Sequence, residues 1–476
     1  MPNAMMRRSC SSLLVCLVLA ACTAAPSTNA PAAPLPTTVP AVESRPVSDG
    51  PLLLRAGTTL RKVIAVDPGV IRLVHNPADG ALYLLNPAAG VFRLADDGSR
   101  ASLQKVADLD DVAADGLVAG LAIGPDGTLF VVSNRGIAGD QTQATVRRGV
   151  PAEGSYRWTT LARSEPYPLS GTPFDHLFNG VVVSPDGAWL FVNSGSRTDH
   201  GEVEDNDGAF PGVREVPLTA KLFRLPADGE TLLLPADGEA LRKSGYVYAD
   251  GLRNAYDLAF APNGDLFAAE NGPDADFPDE LNWIRAAMHY GFPWKFGAFD
   301  NPQQFPDYDP AADKRLPSGF TAVDSGTYRN DPTFPPAPAT MQGPLINSGP
   351  AATQYRDETG AARDAAAEGE VLVGITPHRS PLGLVFATGE LPPDLQPAAG
   401  QLSAFVVSWG AAGGTLTDVG RDVLHLMLRR TADGYEMSAR QIAAEFENPI
   451  DAVLLGTKLY VLEHGTGGAI WELTFE

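Results

Sequence analysis

Cysteine is scarce in this chain: only Cys10, Cys16 and Cys22 occur in 476 residues, all at the extreme N-terminus. The rest of the sequence has no thiol for a disulfide, a zinc site or a nucleophile, which excludes thiol-dependent chemistry there. No Cys-x-x-Cys-His string is present, so the chain cannot relay electrons through a covalently attached haem of its own. Positive charge is also in short supply. Thirty-five Lys and Arg face 57 Asp and Glu, a formal net charge of −22, and a polyanion such as nucleic acid is excluded as a partner on that balance. Long helical periodicity is absent almost everywhere, and the apolar run Leu13 to Leu19 is too short to span a bilayer as a permanent helix.

That short run belongs to a processing signal. Arg7 and Arg8 form its charged head, and Leu19-Ala20-Ala21-Cys22 reads as a lipobox in which Cys22 becomes the lipidated first residue. Ordinary secretory cleavage, with Cys22 incidental, is the alternative. Residues 22–49, rich in Pro, Ala, Thr and Ser, form an extended tether without apolar periodicity. The expectation is a signal peptide over 1–21, a lipidated tether over 22–49, and one domain over 50–476 held outside the cytoplasm by a lipid anchor.

Within that domain a Gly-centred turn recurs beside short β-rich runs. Ala78-Asp79-Gly80, Pro125-Asp126-Gly127, Pro185-Asp186-Gly187 and Pro262-Asn263-Gly264 each precede such a run, and Gly400 and Gly456 do the same later. Six signals, never closer than 47 residues, suit one four-stranded unit each and predict an all-β, six-bladed propeller. An all-β sandwich array is the rival architecture. The widest gap marks an insertion at about 297–370. The terminal alternating run Ile470 to Phe475 is expected to close the ring against the segment from Val70 to Leu94.

The densest chemistry lies between Ala249 and Trp294: ADGLRNAYDLAFAPNGDLFAAENGPDADFPDELNWIRAAMHYGFPW. A hairpin is entered by Arg253-Asn254 and left by Glu270-Asn271-Gly272-Pro273-Asp274. Cationic and amide donors therefore lie at one strand end, and carboxylates with free carbonyls at another. These are parts from which a site for an anionic, metal-coordinating ligand can be assembled.

The string GLRNxxxLAFxPxGxLxxxExGP…DELNxI…YGxPW closely resembles the pyrroloquinoline quinone (PQQ)-dependent glucose/sorbosone and aldose sugar dehydrogenases, which are six-bladed propellers. Weaker matches extend the resemblance over roughly residues 60 to 476. It implies PQQ and calcium as cofactors, a sugar as substrate and an external electron acceptor. It also implies that His176, in Phe174-Asp175-His176-Leu177-Phe178-Asn179-Gly180, is the base that takes the hydroxyl proton, with Asp175 its conceivable orienter. Arg253 and Asn254 match the pair that contacts the quinone, whose three carboxylates suit a guanidinium fork. Gly272 and Pro273 match the carbonyls that hold calcium beneath PQQ. Asp279 and Glu280, with the carbonyl of Tyr290, match a further calcium site, while a solvated acidic loop is the alternative for Asp274 and Asp276. Arg379, in the string PHRSPLG, is a candidate for a PQQ carboxylate or for simple loop architecture.

Other segments depart from the family. The loop Ser194 to Glu202 has a family counterpart and reads as a rim loop near the substrate. No glutamine stands in the segment Asp115 to Gly120, and Ser408 to Gly414 carries no cation, so Arg421 is the nearest replacement. A calcium-dependent lactonase-like propeller is one alternative function. A cell-surface binding module that kept the propeller and lost PQQ is another, and it draws on those missing cations.

Overall fold

The computed structural model describes residues 50–113, 116–411 and 416–476. Residues 1–49, which hold the expected signal peptide, Cys22 and tether, therefore lie outside the described residues, as do Asp115 and Ala412 to Thr415. Among the described residues no helix is long and apolar enough to cross a membrane.

The chain forms an all-β propeller. Among the described residues six mainly antiparallel sheets carry it, and one strand of each is innermost: Arg72–His75, Leu117–Ile123, Phe178–Val183, Ala255–Phe260, Pro381–Phe386 and Pro449–Leu455. These six strands pack side by side in chain order, and the last meets the first, so they enclose a common axis. Every one of the six Gly-centred turns joins an innermost strand to the second strand of its sheet. The turns therefore cluster at one end of the axis, where residues from all six inner strands line a cavity of about 400 Å³. The segments leading into those strands lie at the other end.

Five of the six sheets have four or more strands, and the sheet Ala255–Phe260, Leu266–Glu270, Glu280–Ile284 has three. The expected four-stranded unit is thus met in three sheets, exceeded in two and not reached in one. In the exception, Ala287 turns the chain at a φ of 58°, after which residues 287–290 hydrogen-bond to the outer strand Val247–Asp250 of the preceding sheet. Ala287 N–H donates to the Tyr248 carbonyl at 2.7 Å and Tyr290 N–H to the Asp250 carbonyl at 2.8 Å. The backbone that would have supplied a fourth strand is used to tie two sheets together.

Ring closure also differs from the sequence expectation. The terminal strand Ala469–Phe475 pairs with Thr58–Ala65, from Thr58 opposite Phe475 to Ala65 opposite Ala469. The segment from Val70 to Leu94 instead builds the first sheet. The last sheet therefore takes its outer strand from residues that precede the first sheet, which joins the two ends of the ring by main-chain hydrogen bonds.

Packing six inner strands around one axis demands close approach, and the sequence supplies it at one recurring position. Five of the six inner strands carry a register irregularity near their start, where a bulge tightens the twist. At or beside it stand Gly120, Gly180, Asp257, Gly383 and Asp451. A Cβ on Gly120 would overlap the Asn179 carbonyl, one on Gly180 would sit 2.7 Å from the Ala255 carbonyl, and one on Gly383 would sit 2.9 Å from Asp451 Cα. The aspartates bridge instead. Asp257 accepts the Leu384 N–H and Asp451 the Leu73 N–H, each on the next inner strand.

This periodicity yields a stability prediction. Gly120→Ala should destabilise the domain by about 2 kcal/mol or more, because backbone on the neighbouring sheet must shift. Gly136→Ala, whose added Cβ meets nothing within 4 Å, should stay within about 0.5 kcal/mol of wild type. Equal unfolding midpoints for the two variants would contradict the close-approach account.

Candidate active site

The segments that precede the third, fourth and fifth inner strands, and the loop between the second and third strands of the fourth sheet, converge at the end of the axis opposite the Gly-centred turns. They bring together His176, Arg253, Asn254, Gly272, Asp279, Glu280 and Arg379, and all but Gly272 are recorded among the buried polar side chains. Leu177, directly after His176, has a φ of 60°, a conformation that L-residues other than Asn and Asp rarely adopt. It is held there by the Gly195 N–H, 2.8 Å from the Leu177 carbonyl. A Cβ on Gly195 would overlap that of His176, so the loop after the Trp189–Ser194 strand lies directly on the histidine.

That loop, not Asp175, orients the imidazole. Asp175 accepts the Ser170 N–H at 2.9 Å and the Gly171 N–H at 3.1 Å, so the expected role for it does not hold. His176 Nδ1 lies 3.1 Å from Ser196 Oγ and 3.2 Å from the Ser196 carbonyl. Ser196 Oγ donates its own hydrogen to the Thr198 carbonyl at 2.7 Å. Both groups facing Nδ1 are therefore acceptors, which places the ring hydrogen on Nδ1 and leaves Nε2 with a bare lone pair. Nε2 is buried and has no hydrogen-bond partner. Burial, reinforced by the Arg253 charge, lowers the His176 pKa to about 3, so the ring is neutral at physiological pH.

Arg253 is gripped rather than exposed. Its Nε donates to the Asp199 carbonyl at 2.7 Å, Nη2 to Asp199 Oδ1 at 2.7 Å and Nη1 to the Asn271 carbonyl at 3.2 Å. Three of the five guanidinium N–H groups are thereby engaged and two remain. Asn254 Oδ1 accepts from Asn179 Nδ2 at 2.9 Å, which ties the two inner strands together. The loop Ser194 to Glu202, expected at the rim, is buried throughout and forms the wall of the site.

The acidic residues fall into two groups. Asp279 accepts main-chain hydrogens from Gly272 and Ser380, both at 2.7 Å, so it joins the fourth and fifth sheets. Glu270 and Glu280 share the Asn282 amide, at 2.9 and 3.0 Å. Burial and the neighbouring Glu280 raise the Glu270 pKa well above the carboxylate range, and burial raises Glu280 to about 7. Glu270, Asn271, Gly272 and Glu280, together with Arg253 and Lys295, line a small cavity of about 10 Å³, the size of one small ion or water. The side-chain oxygens of Asn271 and Asn282 are buried without partners. The Gly272 carbonyl has no recorded partner, whereas that of Pro273 accepts the Ala275 N–H at 2.7 Å. The Tyr290 hydroxyl donates to the Trp283 carbonyl at 2.7 Å and accepts the Arg285 N–H at 2.7 Å, while its main-chain carbonyl, the group expected at a calcium, accepts no hydrogen bond from the described residues. Among the described residues no hydrogen bond joins it to Asp279 or Glu280.

Arg379 is buried and paired with Asp418 and, through Nη2, with both oxygens of Asp422 at 2.5 Å. Loop architecture, one of its two expected roles, therefore accounts for it. Arg421 differs: its φ of 57° brings it beside Gly410, and its buried Nε has no partner.

Sequence reasoning missed the residues contributed by the insertion. Tyr328 stacks on His200 with ring centroids 3.7 Å apart, and Phe320 stacks on His378 at 4.1 Å. His200 Nδ1 lies 2.7 Å from Asp199 and His378 Nε2 lies 2.9 Å from Asp276. The insertion is thus pinned over the site by two Asp–His–aromatic stacks. No local pattern in 297–370 announces this, because the partners are more than a hundred residues away for Tyr328 and nearly sixty for Phe320.

A stretch 36% identical over 165 residues is found in quinoprotein glucose dehydrogenase B of Acinetobacter calcoaceticus, covering 31% of this chain and 33% of that protein. The match thus spans about a third of the relative's length. Among solved structures, the soluble aldose sugar dehydrogenase of Escherichia coli in its apo-form is similar at a TM-score of 0.56 and 15% identity, over 88% of this chain and 100% of that one. The PQQ domain of pyranose dehydrogenase from Coprinopsis cinerea, in its holo form, gives 0.54 and 14%, over 90% and 98%. At those identities the likeness establishes the fold. The Glucose / Sorbosone dehydrogenase family model matches residues 73–313, half of the sequence and nearly all of the site, and the chain belongs to that family.

Proposed function

We propose that this protein is a PQQ-dependent oxidoreductase that oxidises an aldose or related sugar and passes the electrons to an external acceptor. The observation that carries the reading is the bare, buried Nε2 of His176, held as a neutral base by two acceptors on Nδ1. When bound, PQQ would supply the hydride acceptor. His176 Nε2 would take the proton of the anomeric hydroxyl, and the Ser196 contacts would hold the ring as it becomes imidazolium.

The residues present fit the cofactor. Two unengaged N–H groups on Arg253 and the unpartnered Nε of Arg421 are donors for its carboxylates, and Asn254 lies beside Arg253. Calcium fits the open Gly272 carbonyl and the oxygens of Glu270, Asn271 and Glu280 around the small cavity, since a hard cation seeks oxygen ligands and would relieve the crowding of two buried carboxylates. The Pro273 carbonyl would have to exchange its Ala275 contact to join. In this reading the three-stranded sheet serves as the sixth blade, and Cys22 carries the lipid that holds the domain on the extracytoplasmic face of a membrane.

Three outcomes follow. In the full chain loaded with PQQ and calcium, His176→Gln should lower sugar-dependent dye reduction about 10²–10⁴-fold while PQQ affinity changes little. Wild-type turnover in the variant, or no PQQ uptake by wild type at micromolar concentration, would contradict the proposal and favour the binding module.

Millimolar calcium should stabilise the wild-type chain, by about 2.7 kcal/mol at a hundredfold excess over Kd, and so raise its melting temperature. Glu280→Gln should lose most of that gain. A calcium response unchanged in the variant would remove Glu280 from the site.

The folded chain withholds from His176 a proton that the unfolded chain accepts below pH 6.5, down to about 3. Relative to His176→Gln, wild type should therefore lose stability as the pH falls through that window, by up to about 1.4 kcal/mol per unit. Parallel stability curves for the two from pH 7 to 4 would show that the imidazole is not buried neutral.

A further inference from the structure

Asp199 is the meeting point of four segments around Arg253. Its Oδ1 accepts Arg253 Nη2 at 2.7 Å and the Asp274 N–H at 3.0 Å. Its Oδ2 accepts His200 Nδ1 at 2.7 Å and the Tyr328 hydroxyl at 3.3 Å. Its main-chain carbonyl takes Arg253 Nε. One residue therefore holds the guanidinium through both Nε and Nη2, which fixes its plane as a single contact would not. The carboxylate is in turn anchored by Tyr328, which belongs to the insertion and also stacks on His200. Asp199 is thus the link through which residues far along the chain reach the arginine.

We propose that Asp199 is a positioning residue that aims Arg253 at an anionic ligand, and that Tyr328 transmits the seating of the insertion to it. This rests on the PQQ reading above. A plain counter-charge makes the opposite prediction. If Asp199 only neutralised Arg253, removing its charge would strengthen the hold of the site on an anion. If it aims the fork, removal weakens that hold despite the lost negative charge.

The test is PQQ affinity, read by quenching of tryptophan fluorescence in the full chain at fixed calcium and pH 7, without turnover. Asp199→Asn keeps the shape and an oxygen for Arg253 but loses the charge. It should raise the PQQ Kd about 10-fold or more, and Tyr328→Phe should raise it about 2-fold. In an Arg253→Ala background the Asp199→Asn change should have no further effect, because the residue acts through that arginine. A Kd that stays the same or falls in Asp199→Asn overturns the proposal, as does a purely thermal effect with unchanged affinity.

A second readout needs no cofactor. In a crystal structure of PQQ-free Asp199→Asn the Arg253 guanidinium should leave the plane it has in wild type, and an unmoved guanidinium overturns the proposal. If wild type takes up no PQQ, the functional reading fails while this structural comparison still decides the positioning role. Should Asp199→Asn not fold, Tyr328→Phe and His200→Gln loosen the carboxylate without touching the Arg253 pair. They must then show the same displacement, and a fixed guanidinium in both refutes it.

Discussion

The whole molecule depends on six strands meeting around one axis closely enough to exclude most side chains between them. At the start of the inner strands the neighbouring backbones come within reach of a single Cβ, and Gly120, Gly180 and Gly383 make room for that contact. Where glycine is absent, Asp257 and Asp451 turn the close approach into hydrogen bonds from one strand to the next. Pairing of Thr58–Ala65 with Ala469–Phe475 then locks the ring. Without that closure, the loops that bear the chemistry would have no common centre.

Convergence of those loops has an electrostatic consequence. Arginines and carboxylates are forced under a roof where unpaired charge is expensive, and most of them have found each other: Arg253 with Asp199, Arg356 with Asp276, Arg379 with Asp418 and Asp422. What stands out against this background is the minority left open. Sixteen buried side-chain atoms among the described residues have no partner, and four of them are His176 Nε2, the Asn271 and Asn282 oxygens and Arg421 Nε, although buried polar atoms in native structures rarely stay unsatisfied. These four belong to the third, fourth and fifth sheets, and they combine a base, hard oxygen donors and a cation. That combination suits an anionic quinone with a divalent metal better than it suits a structural core.

The sequence made the architecture legible because each sheet announces itself locally. A Gly-centred turn between two apolar runs is a short-range signal, and all six such signals proved to join first and second strands. The missing fourth strand after Ile284 was not readable, since it depends on Ala287 adopting a left-handed conformation and on hydrogen bonds to a different sheet. The site was legible to the same degree. His176, Arg253, Asn254, Gly272, Asp279 and Glu280 sit in contiguous strings at strand entrances, and they do come together. Asp175 shows the limit of neighbourhood in sequence: it caps the turn at Ser170 instead of reaching the imidazole. Arg379 looked available for a ligand only because its partners Asp418 and Asp422 lie about forty residues further on. Ser196, Asp199 and Tyr328 carried no motif that marks an orienting role, because that role exists only once the ring is closed.

The most direct test of this account is a crystal structure of the chain with PQQ and calcium. Electron density for the quinone at the entrances of the third, fourth and fifth inner strands, with His176 Nε2 facing the substrate side and calcium against the Gly272 carbonyl, is the predicted result. Density at the opposite end of the axis, in the cavity lined by Asp257 and Asp451, or no bound quinone at saturating concentration, would contradict it.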